Sequence, residues 1–445
     1  MPVKQLTLIV AMVIAIAVLT LNACGSHGSS GFTDPNGSSS GGGNGADSGV
    51  FDTTKDASAV QHPPVVGWLR GKVVAPEGTI PVSNAIVYLT AAVPEAIPGT
   101  AYCDTCVHLT ALEPYAYTKS DGTFELGAYA TGAMKLVVQK GQFRRIRDIT
   151  VTTGDQGVPL DFTRLPGKTD AAHGDTIPKI AMVVGGYDHV DESLKKLGVE
   201  EFYRYGDDPF GLSSGPGIKT GKNGIALMAS GAELAGYHIT LLPCAAMGYS
   251  QDQNNNFLCG APTDAEKTAF KGYVQSGGKL YVTDFAYEAV RQTWPGFITF
   301  YDATMNELDD SKSGVGTACR GGAEDTPGTA DDPGLASWMT AIGETNIELK
   351  AAWSRISKVS PKPGVDADGK PVTITPKVWM TSDTGSGKLP ATVSFEDKCG
   401  RVLFSTYHCE GDSASGLLAQ EKALLYVLLE VGVCVGQLPP PPPPR

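Results

Sequence analysis

Apolar positions are spaced differently in successive stretches of this chain, and each change of spacing predicts a change of architecture. Over residues 6–21 they run almost unbroken behind Lys4. From Gly25 to about Val60 they nearly vanish into Gly, Ser, Asn and Asp. Residues 63–165 then show apolar residues that alternate or run in short blocks between turns, at 68–74, 85–89, 115–118, 123–126 and 135–138, with Ser120-Asp121-Gly122 as a tight turn. A period of two marks strands, so this segment reads as a small all-β domain.

Beyond residue 179 the pattern switches. Short apolar runs at 179–184, 238–244, 279–284, 378–380 and 400–407 alternate with helically spaced stretches at 224–236, 265–276, 286–294, from 333, and at 417–431. Such alternation predicts a flavodoxin-like α/β domain over 179–437, with a mainly parallel sheet covered on both faces. Its central strand is the best signalled. Thr263-Asp264-Ala265-Glu266 has capping-box spacing, Phe270, Tyr273 and Val274 follow at helical intervals, and Gly277-Gly278 stops the helix just before the run 279–284. Ligands of open α/β sheets sit outside the carboxyl ends of the strands, which puts Thr283, Asp284 and Phe285 at the lip of the crevice. Residues 166–178 read as a linker, and 438–445 as an exposed polyproline spacer.

Composition bounds the function. A chain of 445 residues predicts two or three folded units, and 42% apolar residues suffice for their cores. A net charge of −12 with 18% charged residues leaves no basic stripe to displace counterions, which excludes nucleic acid as a partner. The charged start and apolar middle of residues 1–23 form a secretory signal, too short for a bilayer core of about 30 Å. It closes on Leu21-Asn22-Ala23-Cys24, which resembles the bacterial lipobox. That resemblance implies a mature chain beginning at a lipidated Cys24, its lipid the membrane anchor. Gly25 after it, by likeness to enteric lipoproteins, implies the outer membrane of a bacterial cell envelope. Residues 24–62 would then be a flexible tether reaching roughly 35 Å.

Two further resemblances bear on the folded parts. Gly71-x-Val73, Pro81-Val82-x-Asn84-Ala85-x-Val87, Thr118-x-x-Asp121-Gly122-x-Phe124 and Lys140-Gly141-x-Phe143 resemble the carboxypeptidase regulatory-like domain, which implies a non-catalytic prealbumin-type β-sandwich with an insertion at residues 91–112. Gly236-Tyr237-His238-Ile239-Thr240-Leu241-Leu242-Pro243, the run Phe270 to Leu280, and Gly400 to Glu410 resemble the class I glutamine amidotransferase-like fold. That family implies a Cys on the sharp turn after the strand 279–284 and a base in an aromatic-His-x-Glu element. Tyr407-His408-Cys409-Glu410 fits the second element. The turn itself, Thr283-Asp284-Phe285-Ala286, has no Cys.

Catalysis by an activated nucleophile is therefore not expected, and the crevice reads as a binding site with Asp284 and His408 at its floor. Its ligand would be an envelope protein or a saccharide. The alternative is a hydrolase using His408, Glu410 and Asp284. Nine cysteines, eight of them left after Cys24, fit a disulfide-bonded exported protein, with Cys103–Cys106 as a local bridge and Cys244 with Cys259 enclosing a loop. No metal or cofactor is expected from ligand spacing. Asp252-Gln253-Asn254-Asn255-Asn256 and the pairs Glu324-Asp325 and Asp331-Asp332 leave calcium open against plain loop polarity.

Overall fold

In the N-terminal part, eight strands form two sheets. They are β1 (Gly67–Lys72), β2 (Ile86–Thr90), β3 (Tyr115–Tyr117), β4 (Thr123–Ala128), β5 (Gly132–Lys140), β6 (Phe143–Val151), β7 (Gly154–Gly157) and, after helix α1 (Leu160–Thr163), β8 (Asp175–Thr176). The orders are β4-β1-β7 and β3-β2-β5-β6-β8. The structure is a computed structural model; it describes residues 62–185, 187–206, 217–221, 223–251, 253, 257–302, 304–309, 324–385, 387–409 and 416–429. The expectations about the signal, Cys24, the tether, Glu410 and the proline tail lie outside those residues. Among the described residues no helix is long and apolar enough to cross a membrane.

Alternation shapes both sheets: Leu69, Phe124 and Leu126 from one, and Val87, Leu89, Leu136 and Val138 from the other, point into one core. Gly122 makes the tight turn possible. Its φ is 78°, and a Cβ there would stand 2.5 Å from the Val73 carbonyl oxygen. The segment expected as a linker, 166–178, instead carries β8, which pairs antiparallel with β6. Asp175 holds it there through ion pairs of 2.7 Å to both Arg145 and Arg147.

The C-terminal part runs β9 (Ile180–Val183), α2 (Val190–Lys196), β10 (Phe202–Tyr205), β11 (Ile218–Thr220), α3 (Gly224–Met228), α4 (Gly231–Leu234), β12 (Ile239–Leu242), β13 (Tyr249–Gln251), β14 (Phe257–Cys259), α5 (Asp264–Gln275), β15 (Lys279–Thr283), α6 (Tyr287–Thr293) and β16 (Ile298–Phe300). Then follow β17 (Glu324–Ala330), α7 (Pro333–Ala341), β18 (Ile347–Ala352), β19 (Ile356–Val359), β20 (Lys362–Val365), β21 (Pro371–Ile374), β22 (Lys377–Asp383), β23 (Lys388–Asp397), β24 (Gly400–Ser405) and α8 (Ala419–Leu429). Ten of these strands form one sheet in the order β11-β10-β9-β12-β15-β24-β23-β22-β17-β18.

That sheet is mixed. From β11 to β24 every neighbour is parallel; from β24 to β18 every neighbour is antiparallel. The expected mainly parallel sheet is thus its first half only. Residues 384–387 and 398–399 are all that join β22 to β23 and β23 to β24, too little chain for a crossover, so these strands must reverse. The capping box of α5 forms, with Thr263 N–H donating to Glu266 Oε2 at 2.7 Å and Glu266 N–H to Thr263 Oγ1 at 3.3 Å. The helix expected over 224–236 is two helices, because the Ser230 hydroxyl oxygen accepts from Glu233 N–H at 3.2 Å and starts α4 afresh.

The insertion 91–112 clasps the two parts together. Pro98 O lies 2.7 Å from His238 Nε2, Ala101 N–H donates to Ala235 O at 2.8 Å, and Asp104 pairs with buried Lys279 at 3.1 Å. Cys103 is bonded to Cys399, 296 residues away. The local Cys103–Cys106 bridge expected from spacing is therefore incorrect: the loop presents Cys103 to β24's approach, not to its neighbour. Cys106 is itself disulfide-bonded. Trp338 adds a second fastening, donating from Nε1 to Pro81 O at 2.8 Å.

Candidate functional site

Adjacent strands β12, β15 and β24 each deliver one side chain to the same carboxyl edge of the sheet. Leu242 is in register with Val282, so Cys244 and Asp284, each two residues further on, come level. His408 follows β24, whose Phe404 is in register with Val282. The donor atoms of Cys244, Asp284 and His408 all lie within 4.8 Å of one another. The three residues are 1%, 0% and 6% exposed, which closes the cluster to bulk water.

The backbone explains how Asp284 gets there. It occupies the strand-to-helix turn with φ 44°, a left-handed conformation that Asp tolerates better than most side chains. Ser354 N–H donates to its Oδ1 at 2.6 Å and Trp353 N–H to its Oδ2 at 3.3 Å. His408 Nε2 pairs with Oδ2 at 3.2 Å. Burial raises the pKa of Asp284, offset only in part by His408 and Ser354. For His408 burial works against the charged form, yet the Asp284 and Asp188 carboxylates outweigh it and the pKa lies above its ordinary value. Burial first, then the Asp284 charge, pushes the Cys244 thiol well above its usual range.

A second layer fixes these groups. Thr283 Oγ1 accepts from Cys244 N–H at 2.8 Å and donates to Asp188 Oδ2 at 2.5 Å, while Asp188 Oδ1 accepts from Cys409 N–H at 3.0 Å. Phe285 N–H donates to the Cys244 sulfur. Gln420 on α8 donates to the His408 carbonyl at 2.7 Å. Gly185 lets the loop after β9 close on β12's end, since a Cβ there would stand 2.3 Å from Cys244 O.

Beside the cluster, at the same edge, a small recess is lined by Thr326, Ser354, Arg355, Ser382 and Thr406. The Thr326 hydroxyl is buried there with no hydrogen-bond partner, and the Ser354 side chain faces the Asp284 carboxylate. Nearby on the edge, Tyr187 and Tyr249 project their rings with centroids 5.6 Å apart, 46% and 45% exposed.

The sequence candidates fare unequally. Asp284 and His408 are brought together; Glu410 lies outside the described residues. Cys244, expected in a bridge with Cys259, is a free buried thiol at the centre of the cluster, whereas Cys259 is disulfide-bonded. The difference arises because β12 ends with Cys244 turned into the sheet's edge, its amide held by Thr283. Of the acidic pairs left open for calcium, Asp332 caps α7 at Leu335 N–H, 2.8 Å, and pairs with Lys377 at 2.7 Å; Asp325 accepts from Ala351 N–H at 3.0 Å; Glu324 pairs with Arg355. Asp252 and Asn254 to Asn256 lie outside the described residues. Asp188 and Ser354 escaped the sequence reading. Asp188 sits just past the first parallel strand, where the rule that ligands gather at carboxyl ends could have found it.

No protein-family model matches the chain, and no curated protein matches it. Among solved structures, a protein described as ThuA-like from Bacteroides uniformis is 13% identical over 56% of this chain and 89% of its own, with a TM-score of 0.32. A protein described as a GMP synthase component from Thermoplasma acidophilum is 11% identical over 57% and 94%, TM-score 0.31. A second ThuA-like protein, from Parabacteroides merdae, is 13% identical over 59% and 92%, TM-score 0.27.

Proposed function

We propose that this is a lipid-anchored protein of the bacterial cell envelope, outside the cytoplasm, whose α/β domain binds a small polyhydroxylated ligand without turning it over. In this reading the N-terminal sheets are a carboxypeptidase regulatory-like spacer, and the C-terminal part is a degenerate flavodoxin-like, amidotransferase-like domain. The observation that carries the binding role is the recess beside Asp284, where the Thr326 hydroxyl is buried without a partner. Leaving such a group unpaired costs about 1–3 kcal/mol, which a ligand hydroxyl would recover once the recess opens to admit it. The tyrosine pair on the same edge offers an amphipathic face for a sugar ring. Anchoring is supported by Leu21-Asn22-Ala23-Cys24, and an oxidising compartment by the Cys103–Cys399 bond.

Hydrolysis is the second reading, favoured by Cys244 standing beside His408 and Asp284. Access opposes it. With side chains 0% to 6% exposed, the cluster admits no scissile bond to attacking distance. The test uses the full chain in detergent, titrated calorimetrically with a panel of mono- and disaccharides and assayed for ammonia release from glutamine and for ester hydrolysis. Saccharide binding lost in Thr326→Val and Ser354→Ala, with no turnover, is the expected result. Turnover abolished by His408→Ala would sink the binding-only reading. For the anchor, Cys24→Ala should release the chain from membranes.

A further inference from the structure

Cys244, Asp284 and His408 offer a thiol sulfur, a carboxylate oxygen and an imidazole nitrogen from three adjacent strand ends. This mixture suits a borderline-soft divalent ion rather than calcium, which takes oxygen donors only. The spacing is close to what such an ion imposes. Zn–N and Zn–O bonds of about 2.0 Å set neighbouring tetrahedral donors about 3.3 Å apart. His408 Nε2 and Asp284 Oδ2 are 3.2 Å apart.

The supports have the character of an outer coordination shell. Main-chain N–H groups of Ser354 and Trp353 fix the carboxylate, the Phe285 N–H faces the sulfur, and Gln420 holds the His408 main chain. Thr283 ties the Cys244 amide to Asp188. Such groups orient metal ligands before the ion arrives. We propose that Cys244, Asp284 and His408 form a site for a zinc-like divalent transition-metal ion, distinct from the hydroxyl-lined recess and independent of the saccharide reading. On binding, the Cys244 S–H proton and the proton held by the His408–Asp284 pair pass to solvent, and the thiolate, the carboxylate and the neutral imidazole each donate one electron pair. The sulfur moves in from its present distance, at most 4.8 Å from the other donors, to about 3.5 Å, as a Zn–S bond of about 2.3 Å requires.

The full chain, extracted in detergent and stripped with a chelator, is titrated with Zn²⁺ and, in parallel, with Co²⁺. One tightly held zinc per chain by mass spectrometry, and thiolate-to-cobalt charge-transfer absorption in the Co²⁺ form, are expected. Cys244→Ser should abolish the absorption and weaken zinc by about a hundredfold or more, as should His408→Gln. Thr283→Val, which only disturbs the support, should weaken it by about 10- to 100-fold. If a variant fails to fold, the unaltered chain still decides: one equivalent of Zn²⁺ should slow alkylation of Cys244 in mild denaturant. No stoichiometric zinc, zinc bound equally by Cys244→Ser and His408→Gln, or unchanged alkylation of Cys244 would overturn the site, and none of these outcomes bears on saccharide binding.

Discussion

Replacing Asp284 separates what its carboxylate does from what its backbone does. The side chain is wholly buried and its Oδ1 takes the Ser354 N–H at 2.6 Å. Truncation to Ala orphans that donor, and losing a buried hydrogen bond to a charged group costs about 1.5–3 kcal/mol. The Trp353 contact, at 3.3 Å, adds little. Ala also tolerates the left-handed φ of 44° less well than Asp, for about 1 kcal/mol more. Asp284→Ala should therefore destabilise by about 2.5–4 kcal/mol, a large share of the 5–15 kcal/mol typical of a folded protein. Asp284→Asn keeps an acceptor and the conformational tolerance and should cost about 1–2 kcal/mol. Asp284→Gly should fall about 1 kcal/mol below Ala, because glycine enters this region freely. The assay is urea unfolding of the chelator-treated chain followed by near-ultraviolet circular dichroism, with midpoints compared at constant m-value. An Ala variant within 1 kcal/mol of the parent would refute the buried-acceptor argument. Gly costing more than Ala would refute the strained turn.

Three further outcomes follow from other contacts. Burial works against ionised Asp175, but Arg147 and Arg145 outweigh it and hold its pKa below 3.8; the stability this contributes is present above that pH and is lost as pH falls through the depressed value. Asp175→Asn should thus lower neutral-pH stability and flatten the acid limb of an unfolding-versus-pH curve, and parallel limbs would contradict it. Cleavage before Asp104 under non-reducing conditions should leave Cys103 linked to the Cys399 peptide; because 296 residues separate them, Cys103→Ser with Cys399→Ser should cost up to about 5–6 kcal/mol by chain entropy, where a bridge spanning three residues would cost far less. Trp338→Phe removes the indole N–H that reaches Pro81 O, orphaning a buried carbonyl, and should cost about 1–3 kcal/mol by denaturant titration; an unchanged midpoint would mean the two parts are not fastened there.

Much of the architecture was legible because it depends on neighbours in sequence. The period-two stretches became the two N-terminal sheets, and Thr263 to Glu266 with Gly277-Gly278 bounded α5 and delivered β15, since caps, turns and amphipathic spacing are local devices. The parallel half of the large sheet, with Asp284 at a strand's carboxyl end, follows from the same alternation. The antiparallel half did not, because β22, β23 and β24 are joined by short turns with no helix between them, while β17 and β18 pair antiparallel across α7, so alternation of strand and helix did not reveal the reversal. Sulfur pairing was illegible for a similar reason. Cys103 and Cys106 are near in sequence, yet the insertion folds over the α/β part and meets Cys399, a proximity set only by packing. Cys244 carried no signature of its own. Register between β12 and β15 makes it level with Asp284, the Thr283 hydroxyl holds its amide, and β24 brings His408 within reach. Each of those relations joins residues tens to more than a hundred positions apart, so only the folded sheet could turn three ordinary side chains into one site.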